Sequence, residues 1–137
     1  MLWIAHKLKV DHRILTLAKS RCTRTVIHLM EDERSINAVD VAEQYGLGKA
    51  SKEELSKAAK EAKNAYIGYP SHAAAAAFCA AAAAGYDSAG YDSAAAAGYD
   101  SAASSEAAAK SNNERQTADI CRELLTELVF KQINETL

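Results

Sequence analysis

Proline occurs once and glycine six times in the 137 residues. Collagen-like and Pro-rich chains need far more of both, and all-β folds need frequent Gly/Pro turns, so these classes are excluded or disfavoured. Cysteine is sparse and odd in number: Cys22, Cys79 and Cys121, with no CxxC pair. That argues for buried thiols in a reducing compartment rather than a disulfide framework. Charge of one sign is not in excess. The net charge of −2 demands no polyanionic partner. Long hydrophobic runs are missing too. The alanine-rich stretch is interrupted by Gly and Asp, whereas a membrane span needs about 20 predominantly apolar residues. The opening Met1-Leu2-Trp3-Ile4-Ala5-His6-Lys7 lacks the basic region and the apolar length of a signal peptide. The expectation is a soluble, cytoplasmic protein with no membrane association.

Sites of chemistry are equally scarce. His6, His12, His28, His72 and the cysteines show no HExxH or CxxC spacing, so no metal and no cofactor is expected. Gly46-Leu47-Gly48-Lys49-Ala50-Ser51 has the look of a phosphate loop. It lacks the earlier glycine and a preceding strand, and Ala follows its lysine, so it reads as a helix stop followed by a helix cap. Cys22 and His28 are six apart and face different ways on a helix. Cys79 stands in an acidic region that would raise its pKa. The chain reads as a non-enzyme.

What is present is alanine, 30 residues of it, the best helix former. Asp11 is an N-cap, and Ile14, Leu15, Ala18, Cys22, Val26 and Leu29 repeat at helical spacing behind it. Lys19, Arg21 and Arg24 interleave as the wet face, and the helix is expected to stop near Glu31-Asp32-Glu33. Ser35 is the expected cap of a second helix with Ile36, Val39, Val41 and Ala42 inward, ended by Gly46 and Gly48. Ser51 and Glu54 have capping-box spacing. Leu55, Ala58, Ala59, Ala62 and Tyr66 make a third stripe. Ser71, after Pro70, caps an Ala-rich segment over 72–110. As one helix it would run about 57 Å at 1.5 Å per residue, too long for a compact domain, so a break near Gly85 or Gly90 is expected. Ser111-Asn112-Asn113-Glu114 offers a further cap. The last helix buries Ala118, Cys121, Leu124, Leu125, Leu128 and Val129 and is expected to end near Phe130.

These elements predict an all-α fold, a compact helical bundle of about five to six helices in a single domain over 1–137, with 1–10 irregular. In the expected core, an Ala-rich central pair is clasped by the first and last helices.

Charge is segregated along the chain. Residues 1–28 carry six Lys/Arg against one Asp, and residues 65–109 carry four acidic groups and no Lys or Arg. Lys7, Lys9, Arg13, Lys19, Arg21 and Arg24 could form a basic stripe. No nucleic-acid reader motif accompanies it, so steering of a protein partner is the preferred reading and nucleic acid is disfavoured. The pentapeptide Gly-Tyr-Asp-Ser-Ala occurs three times, at 85–89, 90–94 and 98–102. Each copy adds a glycine that weakens a helix, so packing or function must offset it. On a continuous helix Tyr91 and Tyr99 would lie about 80° apart and Tyr86 about 140° from Tyr91, so the rings would divide between core and surface. The candidate binding residues are therefore the pairs Tyr86-Asp87, Tyr91-Asp92 and Tyr99-Asp100, with Lys19, Arg21 and Arg24. Tyrosine is enriched in interface hot spots.

Several stretches carry a resemblance. They are Asp11-His12-Arg13-Ile14-Leu15, Arg24-Thr25-Val26-Ile27-His28-Leu29, Asn37 to Tyr45, Ala50 to Leu55, and Ala118-Asp119-Ile120-Cys121-Arg122. Together with the Tyr/Ala/Asp middle they make the chain similar to a family of small, Ala-rich, all-helical bacteriophage proteins described as immunity protein-like. The similarity covers most of residues 11–125 and implies a phage or mobile-element origin and an accessory role. It carries no catalytic residues across. The resulting expectation is a phage-encoded protein-binding inhibitor in the host cytoplasm. It would occlude a bacterial host or competitor protein, for example in an anti-defence, anti-CRISPR-type role. The alternatives are an immunity protein that neutralises a toxin and a nucleic-acid-binding accessory protein. Monomer and homodimer are equally compatible with Ala-faced helices.

Overall fold

A computed structural model describes residues 11–68, 71–81 and 107–136 of the chain. Among these residues there are five α-helices, one 3-10 turn over Ile27–Leu29 and no strand. The helices are α1 (His12–Arg24), α2 (Glu33–Gly46), α3 (Lys52–Gly68), α4 (His72–Ala81) and α5 (Ala107–Thr136). The all-α bundle expected from composition is what is found. Residues 1–10 lie outside the described residues, as do 82–106.

The first four helices start where local chemistry can satisfy their first amides. Asp11 caps α1, its Oδ1 accepting from Arg13 N at 2.7 Å. Ser51 and Glu54 form the full capping box of α3: Glu54 N donates to Ser51 Oγ at 3.1 Å, and Ser51 N donates to Glu54 Oε2 at 2.7 Å. That exchange holds the Glu54 carboxyl below its ordinary pKa. Ser71 caps α4 by accepting from Ala74 N at 3.1 Å. α2 ends as the two glycines imply. Gly48 N donates to Tyr45 O and Lys49 N to Gln44 O, with Gly48 at φ +77°, a Schellman stop.

Two starts and two ends differ from expectation. Asp32, not Ser35, caps α2, accepting from Arg34 N at 2.9 Å and pairing with the Arg34 side chain. Ser35 is buried one turn inside. α1 stops at Arg24, because Thr25 turns its hydroxyl to the Cys22 carbonyl at 2.6 Å and the β-branched run Thr25-Val26-Ile27 disfavours a further turn. The box over 111–114 does not cap the last helix but lies inside it, and Asn113 within it turns inward. Its Nδ2 donates to Thr25 Oγ1 at 2.5 Å, tying α5 to the end of α1. No Gly or Pro interrupts α5, which continues past Phe130 to Thr136.

The second half of the expected Ala-rich pair lies outside the described residues, and the described core is built around α1 and α2. α1 touches α2, α4 and α5, and eight of its thirteen residues are buried. Toward α5 it presents Leu15, Ala18 and Cys22 to Cys121, Leu125 and Val129. Residues 121, 125 and 129 recur every four positions, so they make one stripe. Ala118, expected in that stripe, is exposed. Toward α2 the backbones nearly touch. A Cβ on Gly46 would stand 2.5 Å from Leu17 Cβ and 2.8 Å from Leu17 Cα. A second cluster joins α2, α3 and α4 through Ala38, Ala42, Tyr45, Leu55, Ala58, Ala62 and Ala80, with Phe78 against it. Ala65 takes the inward place expected of Tyr66, which is exposed.

Candidate functional site

Apart from His72, Phe78 and Cys79, α4 consists of alanine, so it carries little side-chain bulk. A neighbour can therefore reach its backbone. α1 does so with a polar stripe at helical spacing, Thr16, Lys19, Ser20 and Thr23, all fully buried. Lys19 Nζ donates to Cys79 O at 3.1 Å, and Thr23 Oγ1 donates to Ala76 O at 3.4 Å. Ser20 Oγ turns back to Leu17 O at 2.9 Å. Thr16 Oγ1 is buried with no hydrogen-bond partner among the described residues. Burial pushes the Lys19 ammonium down to about 7, and its charge interaction with Cys79 opposes the shift only in part.

Lys19 therefore does not belong to a wet basic face, contrary to expectation. The periodicity is right, but the stripe meets alanine instead of water. The other predicted cations remain half-exposed and locally paired. Arg24 Nη2 contacts Asp40 Oδ1 at 2.7 Å and Glu43 Oε2 at 2.5 Å, and Arg21 Nε lies 3.8 Å from Glu43 Oε1. Desolvation works against the Arg24 charge, but bonding to Asp40 and Glu43 outweighs it and raises its pKa. Arg13 donates to Tyr45 O at 2.7 Å and stacks its guanidinium 4.5 Å from the centre of the Tyr45 ring. Among the described residues, the cations of α1 are tied inward or to α2 and form no open basic stripe. Lys7 and Lys9 lie outside the described residues.

The six repeat residues, Tyr86, Asp87, Tyr91, Asp92, Tyr99 and Asp100, also lie outside them. What the structure places is the support on either side. α4 is described to Ala81 and α5 from Ala107, and both helices pack on α1. No group of three or more metal-ligating side chains occurs among the described residues. No described helix is long and apolar enough to cross a membrane. A cleft of about 350 Å³ opens between Met30, Asp32, Ser35, Ala65, Ser71 and Ala74. Ser35 Oγ is buried there without a partner among the described residues. Glu31, like Asp32, lines it.

Sequence reasoning missed the buried polar stripe and the pairing of Cys22 with Cys121. The signal for the stripe was there, in four polar residues at i, i+3, i+4 and i+7. What made it unreadable is that an outward stripe has the same spacing. In comparisons with known proteins, no family model matches the chain, and neither a curated protein nor a solved structure matches it.

Proposed function

We propose that this is a non-enzymatic, protein-binding inhibitor of phage origin that occludes a bacterial protein in the host cytoplasm, in an anti-defence role. One observation carries the reading: the two helices flanking the Tyr-Asp repeats are both seated on one central helix. In sequence the three repeats lie between two helices that pack on the same helix, which supports the reading that Tyr86-Asp87, Tyr91-Asp92 and Tyr99-Asp100 meet a partner. Tyrosine with an adjacent carboxylate offers a large apolar area and a charged acceptor together, the chemistry of protein hot spots. The pairing of Arg21 and Arg24 with Asp40 and Glu43 weakens the case for nucleic acid, which needs cations free to meet phosphates. The resemblance to immunity protein-like phage proteins supports the origin.

Capture of partners from bacterial lysate, compared between the wild-type chain and variants with alanine at each Tyr-Asp pair, tests this. The expected result is one nuclease-resistant protein partner, lost in at least one pair variant whose helicity and Tm are unchanged. Capture that survives replacement of all three pairs, or that vanishes on nuclease treatment, overturns the proposal.

A further inference from the structure

The packing of α5 on α1 brings two thiols together in the interior. Cys22 sits on the α1 face that meets α5, and Cys121 on the facing turn. Their sulfurs are 4.0 Å apart, and both are free. Cys22 is fully buried, whereas Cys121 retains 7% exposure. A disulfide needs the sulfurs at about 2.05 Å, and one staggered step of χ1 carries a cysteine sulfur further than that difference. Leu15, Ala18, Leu125 and Val129 share the buried cluster with the two sulfurs. We propose that Cys22 and Cys121 form a redox modification site, a dithiol that hydrogen peroxide converts into a disulfide stapling α5 to α1.

The two sulfurs are not equivalent. The contact between the two sulfurs, in which either can donate, holds the Cys121 pKa below the ordinary thiol value. The same contact, with burial, pushes Cys22 up. Cys121 is the less buried of the two and the one whose pKa is held down, so it is the proposed first target of peroxide. It attacks one peroxide oxygen: an S–O bond forms, the O–O bond breaks, and water leaves with the thiol proton. Cys22 sulfur then displaces the hydroxyl of the Cys121 sulfenic acid, forming the S–S bond and releasing a second water. Two thiols lose two electrons, and one peroxide is reduced to two waters. The residues joined are 99 positions apart, so the crosslink closes a ring that contains the whole repeat segment. The inference is independent of what the repeats bind.

The test is peroxide treatment of the folded full-length chain, with Cys79→Ser in parallel. Peptide mapping under non-reducing conditions and thermal melting are the readouts. A Cys22–Cys121 peptide lighter by two hydrogens is expected in both proteins, with Tm raised by about 10 °C and restored by dithiothreitol, since long-loop disulfides constrain the unfolded chain most. Three results each overturn the proposal: both thiols still fully alkylatable after denaturation, a crosslink through Cys79 instead, or Cys121 driven to sulfinic acid with no linkage. A linkage that lowers Tm would do so as well, because the pair would then be strained rather than placed to join. The wild-type chain alone carries these outcomes if the serine variant fails to fold.

Discussion

The face of α1 that meets α5 and the face that meets α4 are both sealed from water, yet they are built from opposite materials. On the α5 side, Leu15, Ala18 and Cys22 meet Cys121, Leu125 and Val129, side chain against side chain. On the α4 side, Lys19 and Thr23 reach the backbone carbonyls of Cys79 and Ala76. The first seam follows from burial of apolar area and needs complementary shapes. The second follows from the lack of side-chain bulk on α4, which leaves helix carbonyls within reach as acceptors. A helix can therefore be buried on polar residues, provided its neighbour is bare enough to receive them.

The largest effect should come from breaking the apolar seam. Leu125 is fully buried, and Leu125→Ala should destabilise the fold by about 2–5 kcal/mol in chemical denaturation. A midpoint equal to wild type would show that α5 is not docked through this stripe. The polar seam should instead be visible in pH dependence. Below about pH 7 Lys19 is protonated in both states, and the full penalty of burying the charge is present. Between about 7 and its ordinary 10.5 the unfolded chain keeps the proton that the native state has released. The unfolded state then binds more protons, so the Lys19 contribution to stability rises with pH across that window. Crossing the whole window should be worth up to about 5 kcal/mol, seen as the difference in slope between wild type and Lys19→Met. Parallel pH profiles would show that the ammonium is not the source. The smallest effect is a gain. Thr16 Oγ1 is buried without a partner among the described residues. Thr16→Val, nearly equal in shape, should stabilise by about 1 kcal/mol, read as a raised urea midpoint at unchanged m value. A loss of that size would mean the hydroxyl has a partner after all.

What was legible in the sequence is what is decided locally. The caps at Asp11, Ser51 and Ser71, the glycine stop after α2 and the burial of Leu125 each depend on residues within a turn or two. The start of α2 failed because Asp32 and Ser35 are both good caps, and the choice falls to Ser35 being drawn inward. The cap over 111–114 failed because the helix already runs through it from Ala107, with Asn113 serving as a buried donor to Thr25. Lys19 failed for a deeper reason. Helical spacing says which residues share a face, but only the neighbour decides whether that face is wet. The candidate site was legible as a motif alone, since its three repeats stand outside the described residues.

The approach of Gly46 to α1 bears on how this fold can vary over evolutionary time. A side chain at 46 would meet the Cα and N of Leu17 as well as its Cβ. No exchange at position 17 could make room, because the obstructing atoms are common to every amino acid. The pair cannot drift by compensation: one position is frozen, and the other is free to change without consequence for it. Two such positions would never covary across descendants of this sequence. A contact this close would therefore be invisible to any method that infers proximity from correlated substitutions, while looser pairs such as Leu125 and Leu15 would register.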